Sequence, residues 1–141
     1  MVRIAEAFAP ALTPAEDHGL RVALATPVRV QSGHSVKTVV LVTSRAPAGG
    51  ELRTNGHLSA VVVDSNERVV GAYVGAQHVP LVRFGLPPSV RVEVPLLIGT
   101  ASLAPELGYA VPPGEWRLWV ELCLEGIGVL HSEALPIVVE H

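Results

Sequence analysis

Residues 111–124 of this chain read Val-Pro-Pro-Gly-Glu-Trp-Arg-Leu-Trp-Val-Glu-Leu-Cys-Leu. After the Pro-Pro-Gly turn, one set of alternate positions is apolar, namely Trp116, Leu118, Val120, Leu122 and Leu124. The other set is mixed, namely Arg117, Trp119, Glu121, Cys123 and Glu125. Successive side chains of a β-strand point to opposite faces of its sheet. The run therefore predicts a half-buried antiparallel strand, with Trp116 in the core and Trp119 outside it.

Shorter runs of β-branched and apolar residues fill much of the remaining chain. They cover residues 20–25, 28–30, 35–45, 52–53, 58–64, 68–74, 90–98 and 135–139. Turn-forming residues separate them about every 8–12 residues, and no long helical periodicity is present. We predict an all-β fold, an immunoglobulin-like antiparallel β-sandwich of seven to nine strands.

Several local features refine this prediction. Residues 58–74 read as one hairpin, because Asp64 and Asn66 favour a tight turn between two apolar runs. The segments 75–85 and 99–113 are predicted to be loops. Pro136 places the last strand at a sheet edge, since proline cannot donate to a strand ladder.

Residues 1–19 differ from the rest. Pro10 and Pro14 interrupt any long helix, so we expect an arm that is irregular or holds one short helix. The predicted organisation is an arm at 1–19 followed by a β-sandwich domain at 20–141. Ile4, Phe8 and Leu12 give the arm an apolar character, which suggests that it packs on its own domain or on a neighbouring subunit.

Composition limits the possible partners. Of the 141 residues, 49% are hydrophobic and only 16% are charged, against about 25% charged in ordinary soluble domains. Scarce charge suggests that some apolar surface meets a partner. The net charge of −3 argues against nucleic acid and anionic membranes. No run is long enough for a membrane span, the first residues do not read as a secretory signal, and we expect a cytoplasmic location.

Motifs for catalysis or cofactor binding are not found. The single cysteine, Cys123, excludes an internal disulfide, and the six histidines form no closely spaced pair for a metal. A blue-copper site lacks its axial methionine, and there is no Gly-x-Ser-x-Gly nucleophile turn. Glu121 and Glu125 lie too far apart along the strand to share a proton. We therefore predict a protein that is not an enzyme and uses no cofactor and no metal.

The C-terminal quarter resembles the end of bacterial immunoglobulin-like modules. The resemblance rests on Pro112-Pro113-Gly114-Glu115-Trp116 and on Ser132-Glu133-Ala134-Leu135-Pro136-Ile137-Val138-Val139. In this respect the chain is similar to the intracellular proteinase inhibitor family of bacteria. The similarity covers about the last 35 residues. It implies a fold and transfers no inhibitory residue.

These observations favour a non-catalytic protein-binding or assembly module. It would act on a protein partner or form a homo-oligomer through sheet faces, edges or loops. The interface candidates are Ile4, Phe8, Leu12, Leu97 and Trp119. One alternative is a proteinase-inhibitor-like module that uses an exposed loop at 76–88 or 99–113. Another is an enzyme whose site is assembled from scattered His, Glu and Tyr residues.

Overall fold

The computed structural model of the chain describes residues 13–76 and 80–141. The strands are β1 (Leu20–Leu24), β2 (Arg29–Gln31), β3 (Ser35–Ser44), β4 (Gly50–Thr54), β5 (Leu58–Val63), β6 (Val69–Ala72), β7 (Val82–Leu86), β8 (Arg91–Gly99), β9 (Ala101–Ser102), β10 (Gly114–Leu124), β11 (Gly128–His131) and β12 (Leu135–Glu140). Two short 3-10 helices lie at Ala15–His18 and Pro105–Leu107. The prediction of an all-β fold is confirmed, with twelve strands instead of seven to nine. In these ranges no helix is long and apolar enough to cross a membrane.

The strands form one hydrogen-bonded sheet, which is curled and open like half of a barrel. Its main order is β1-β3-β8-β5-β10-β12-β2. At one end of β10, β4 and β11 also pair with it, while β7 pairs with β4, β6 with β5, and β9 with β6. The two sheets of a sandwich are held together by side-chain packing. Here two parallel residue pairs, Leu58–Leu96 and Ser59–Leu97, connect β5 to β8 and make the sheet continuous.

The core lies inside the curl, and β10 supplies one complete row of it. Leu118, Val120 and Leu122 are fully buried, and Leu124 is 8% exposed. The predicted alternation is therefore confirmed. Trp116 differs from the expectation, because it lies near the start of β10, where it is half-buried against the edge of the core. Its indole N–H donates to the Pro112 carbonyl at 2.9 Å.

Strands also form in segments that were predicted as loops or given no structure. β7 begins within the predicted loop at 75–85 and pairs with β4, and β9 lies within the predicted loop at 99–113 and pairs with β6. β11 follows the turn after β10 and pairs back onto the end of that strand. Apolar residues alternate in β7, but most side chains of β7 and β11 are exposed or half-buried. Their strand structure is therefore evident mainly from their pairing with β4 and β10.

The hairpin predicted at 58–74 is present as β5 and β6. Asp64 begins its turn, and one carboxylate oxygen accepts the backbone N–H groups of Asn66 and Arg68, each at 2.9 Å. The Arg68 N–H bond is the largest of the interactions that lower the pKa of Asp64. Sequence reasoning therefore found both the position and the chemistry of this turn.

The first strands cross from one end of the sheet to the other. β1 pairs with β3, the chain bends at Ala25 and Thr26, and β2 then pairs in parallel with β12 at Val138–Glu140. β12 is therefore not at the edge of the sheet, whereas Pro136 had led us to predict an edge strand. An apolar groove of about 540 Å³ separates β1 from β12 and is lined by residues such as Val22 and Ile137.

Pro136 nevertheless marks a free edge. The N–H of Val138 donates to the Val28 carbonyl at 3.1 Å, on the side of β12 away from β10. Backbone nitrogens two residues apart point to the same side of a strand, so the Pro136 nitrogen also faces that side. Among the described residues, no strand pairs with β12 there.

The described part of the predicted arm packs on the domain. Residues 15–18 form a 3-10 turn that ends at Gly19 with a φ of 76°, and β1 begins at Leu20. Ala15 is 1% exposed within the main core. The N–H of His131 donates to the Thr13 carbonyl at 3.1 Å. Ile4, Phe8 and Leu12 lie outside the described residues.

Candidate functional site

The face of β10 that points away from the core carries Trp119, Glu121 and Cys123, all half-buried. Neighbouring strands place other side chains beside them. Glu121 lies between Ser59 on β5 and His131 on β11, and Cys123 lies between Arg53 on β4 and Val129 on β11. We call this surface the outer face of β10.

Trp119 lies outside the main core, as predicted, but its own chain partly covers it. It packs on a second small cluster made of Val61, Val63 and Ala72, with Leu103 at its border. The imidazole of His131 also lies against its ring. Trp119 therefore presents only part of its indole to a partner.

Leu97 joins the same surface through its pairing with Ser59. It is only 8% exposed, so the chain already covers the side chain that was predicted as an interface candidate. The fold brings Leu97 and Trp119 to one surface. The remaining candidates, Ile4, Phe8 and Leu12, lie in the segment before residue 13, which is outside the described residues.

A cleft of about 590 Å³ opens on the outer face of β10. His57, Ser59, Glu121 and Cys123 line it as polar or ionisable groups, and Leu81 and Val129 contribute apolar walls. Leu81 is 50% and Val129 is 52% exposed, so both form its rim. An apolar lining with a few polar groups is the usual composition of a binding site.

Glu121 has no counter-ion among the described residues. Burial raises the pKa of its carboxyl above the ordinary value, and among the described residues no hydrogen bond or charge opposes that effect. The cation at the same cleft, Arg53, is bound elsewhere, because its Nε lies 3.2 Å from the Glu125 carboxylate. The cleft therefore contains an unpaired acidic group.

His57 is the second unpartnered group. It lies between β4 and β5 and is 9% exposed, and its Nε2 is buried without a hydrogen-bond partner. A histidine in a turn is ordinarily exposed to solvent. His57 lines the same cleft as Ser59 and Glu121, an arrangement that local sequence does not reveal.

Cys123 supplies a half-buried free thiol to the cleft wall. Such a side chain behaves mainly as a small, polarisable apolar group. Over residues 13–76 and 80–141, no three His, Cys, Asp or Glu side chains are grouped closely enough to hold a metal ion.

The sequence did not predict that these residues would lie together in a cleft. Glu121 was considered only with Glu125, and His57 only as one of six histidines without a closely spaced partner. The one available signal was an acidic residue between Trp119 and Cys123 on the non-core face of a strongly apolar strand. No protein-family model matches the chain, and no curated protein matches it.

Proposed function

We propose that this protein is a non-catalytic binding module that docks a protein partner on the outer face of β10. The observation that carries the proposal is the cleft itself, in which exposed Leu81 and Val129 surround an unpaired carboxylate. Exposed apolar side chains next to unsatisfied polar groups are typical of recognition surfaces. Ile127, 53% exposed at the turn before β11, extends the apolar surface beyond the rim.

The surroundings of Cys123 support a role without catalysis. A nucleophilic thiol needs an adjacent base, oriented by a third group. In the described ranges no hydrogen bond connects Cys123 to His57, and the His57 Nε2 has no partner. The two groups line one cleft without forming a catalytic pair.

Site-specific photocross-linking tests the proposed surface. We would place p-benzoylphenylalanine at Val129, which is 52% exposed, and as a control at Val90, which is 48% exposed and lies outside the cleft. In cells of the native host, an adduct should form from position 129 and not from position 90. An adduct between two copies of the chain would identify the partner as a homo-oligomer. Equal yields at both positions would contradict the proposal.

We further propose that the curled sheet is an immunoglobulin-like sandwich whose layers are joined at one place. If the sheet is divided at the two residue pairs between β5 and β8, its strands fall into two groups, β1-β3-β8 and β6-β5-β10-β12-β2. The first two strands also pair in different groups, β1 with β3 and β2 with β12, which is compatible with this fold. Amide exchange should be faster at Leu58 and Ser59 than in the middle of β10, and equal protection would count against a weak joint.

A second candidate function is supported by Tyr109. This side chain is fully exposed on the 99–113 connection. Two backbone hydrogen bonds within the segment hold its conformation. The N–H of Ser102 donates to the Tyr109 carbonyl at 3.0 Å, and the N–H of Val111 donates to the Thr100 carbonyl at 2.9 Å. A braced loop presenting an aromatic side chain suits a proteinase-inhibitor-like module, since chymotrypsin-type enzymes accept such a residue in an apolar slot. Inhibition of chymotrypsin that Tyr109→Ala abolishes would favour this candidate, and no inhibition would exclude it for that enzyme class.

A further inference from the structure

Two groups in the cleft lack the partners that buried polar groups normally have. The carboxylate of Glu121 is half-buried without a donor, and the Nε2 of His57 is buried without a partner in the described chain. Leaving such groups unsatisfied destabilises a protein. Of the two, the Glu121 carboxylate could be paired by a ligand that brings hydrogen-bond donors into the cleft.

The Glu121 oxygens remain reachable from solvent. The buried side-chain oxygen and nitrogen atoms without partners comprise the His57 Nε2 and no atom of Glu121 in the described part of the chain. Because Glu121 lines the cleft, its carboxylate is open to an occupant of the cleft.

The charges of the cleft indicate whether its occupant is a cation or an anion. Arg53 is paired with Glu125, so the unpaired charge facing the cleft is the negative charge of Glu121. The exposed Leu81 and Val129 at the rim favour an occupant with an apolar stem. These features together indicate a cation on a hydrocarbon chain.

We propose that the cleft receives an arginine side chain of the protein partner, with Glu121 as the counter-ion of its guanidinium group. This inference rests on the proposed function and names the chemistry of its partner. Arginine fits better than lysine, because its planar group has five N–H donors and is weakly hydrated. Its methylene groups cover the rim at Leu81 and Val129.

A titration of the full chain with N-acetyl-arginine methylamide tests the inference. In ¹H–¹⁵N spectra, the amide signals of Glu121, Cys123 and Val129 should shift saturably. The neutral isostere N-acetyl-citrulline methylamide should produce no such shifts. This comparison uses the unaltered protein, so it does not depend on whether a variant folds. Equal shifts with both compounds, or no shift with either, would overturn the inference.

Matched variants then locate the counter-ion. Glu121→Gln should weaken binding of the arginine compound by at least about tenfold, which is the contribution expected of a hydrogen bond to a charged group. Glu115→Gln removes the same charge from an exposed position on the same face of β10 and should leave binding unchanged. Binding by Glu121→Gln at the wild-type affinity would refute the role of Glu121.

The two proposals fail in different ways. If the arginine compound does not bind but Val129 still forms a specific cross-link, the docking surface is correct and the arginine inference is wrong. If the arginine compound binds while the cross-link is absent, the cleft recognises the cation and the partner is not a protein, which also overturns the inference.

Discussion

The imidazole of His131 lies against the indole of Trp119, with 4.6 Å between the ring centroids and an angle of 31° between the planes. Two bonds hold His131 in this position. Its Nδ1 donates to the Ser132 carbonyl at 2.8 Å, and its backbone N–H donates to the Thr13 carbonyl at 3.1 Å. The described N-terminal segment therefore begins beside the outer face of β10. This arrangement connects the predicted arm with the predicted interface residue Trp119.

Charged substitutions on successive positions of β10 should have opposite outcomes. Val120→Glu places a carboxylate in the main core, where Val120 is fully buried, and we expect the domain to unfold. Trp119→Glu places the same group on the outer face, where solvent is available, and the protein should remain folded. Circular dichroism and urea denaturation give the comparison. Unfolding by both variants would show that the two positions do not differ in environment.

The hydroxyl of Ser132 should be important for stability. Ser132 is 2% exposed, and its hydroxyl accepts the N–H of Val120 at 2.9 Å. In Ser132→Ala that buried N–H loses its partner, so we expect a loss of roughly 1–3 kcal/mol in the free energy of unfolding. The exposed Ser59→Ala should change it by less than about 0.5 kcal/mol. Similar values for both variants would disprove the role assigned to this bond.

Stability should depend on the ionisation of Glu121. Burial raises its pKa in the folded protein above the ordinary 4.5, so the wild type loses stability as pH rises through the folded pKa. Glu121→Gln cannot ionise and avoids that loss. Its advantage over the wild type should be absent at pH values below 4.5 and should grow towards neutral pH. Urea denaturation across this range measures the effect, with Glu115→Gln as the control, and a difference independent of pH would argue against it.

A methyl group at Gly99 should not be tolerated. Gly99 ends β8, and a Cβ atom there would collide with the backbone of Tyr73. Because backbone atoms cannot move aside independently, Gly99→Ala should lower the free energy of unfolding by roughly 1–3 kcal/mol. Gly85→Ala on β7 is the matched control, since nothing lies within 4 Å of its Cβ position. A neutral effect at Gly99 would show that the two segments separate easily.

The sequence correctly predicted elements that depend on residues close together in the chain. The alternation in β10 and the side-chain acceptor of Asp64 lie within short stretches, so strand phase and turn position followed directly. β7 and β11 carry mainly exposed or half-buried side chains and acquire their structure from pairing with β4 and β10. The connection between β5 and β8 depends on residues far apart in sequence, Leu58 with Leu96 and Ser59 with Leu97.

The same reasoning explains why the cleft was missed. His57 and Glu121 are separated by more than half the length of the described domain in sequence, and no spacing rule relates them. Interpretation of Trp119 was more successful, because its position follows from strand phase alone. Its role as an interface residue remains a prediction.

Pro136 has a consequence for the protein at high concentration. An unpaired strand edge can pair with a strand of another molecule, and repeated pairing of this kind produces fibrils. At the opening between β1 and β12, an incoming strand meets the nitrogen of Pro136, which has no hydrogen to donate. The groove therefore exposes apolar side chains and still resists growth into an extended cross-β stack.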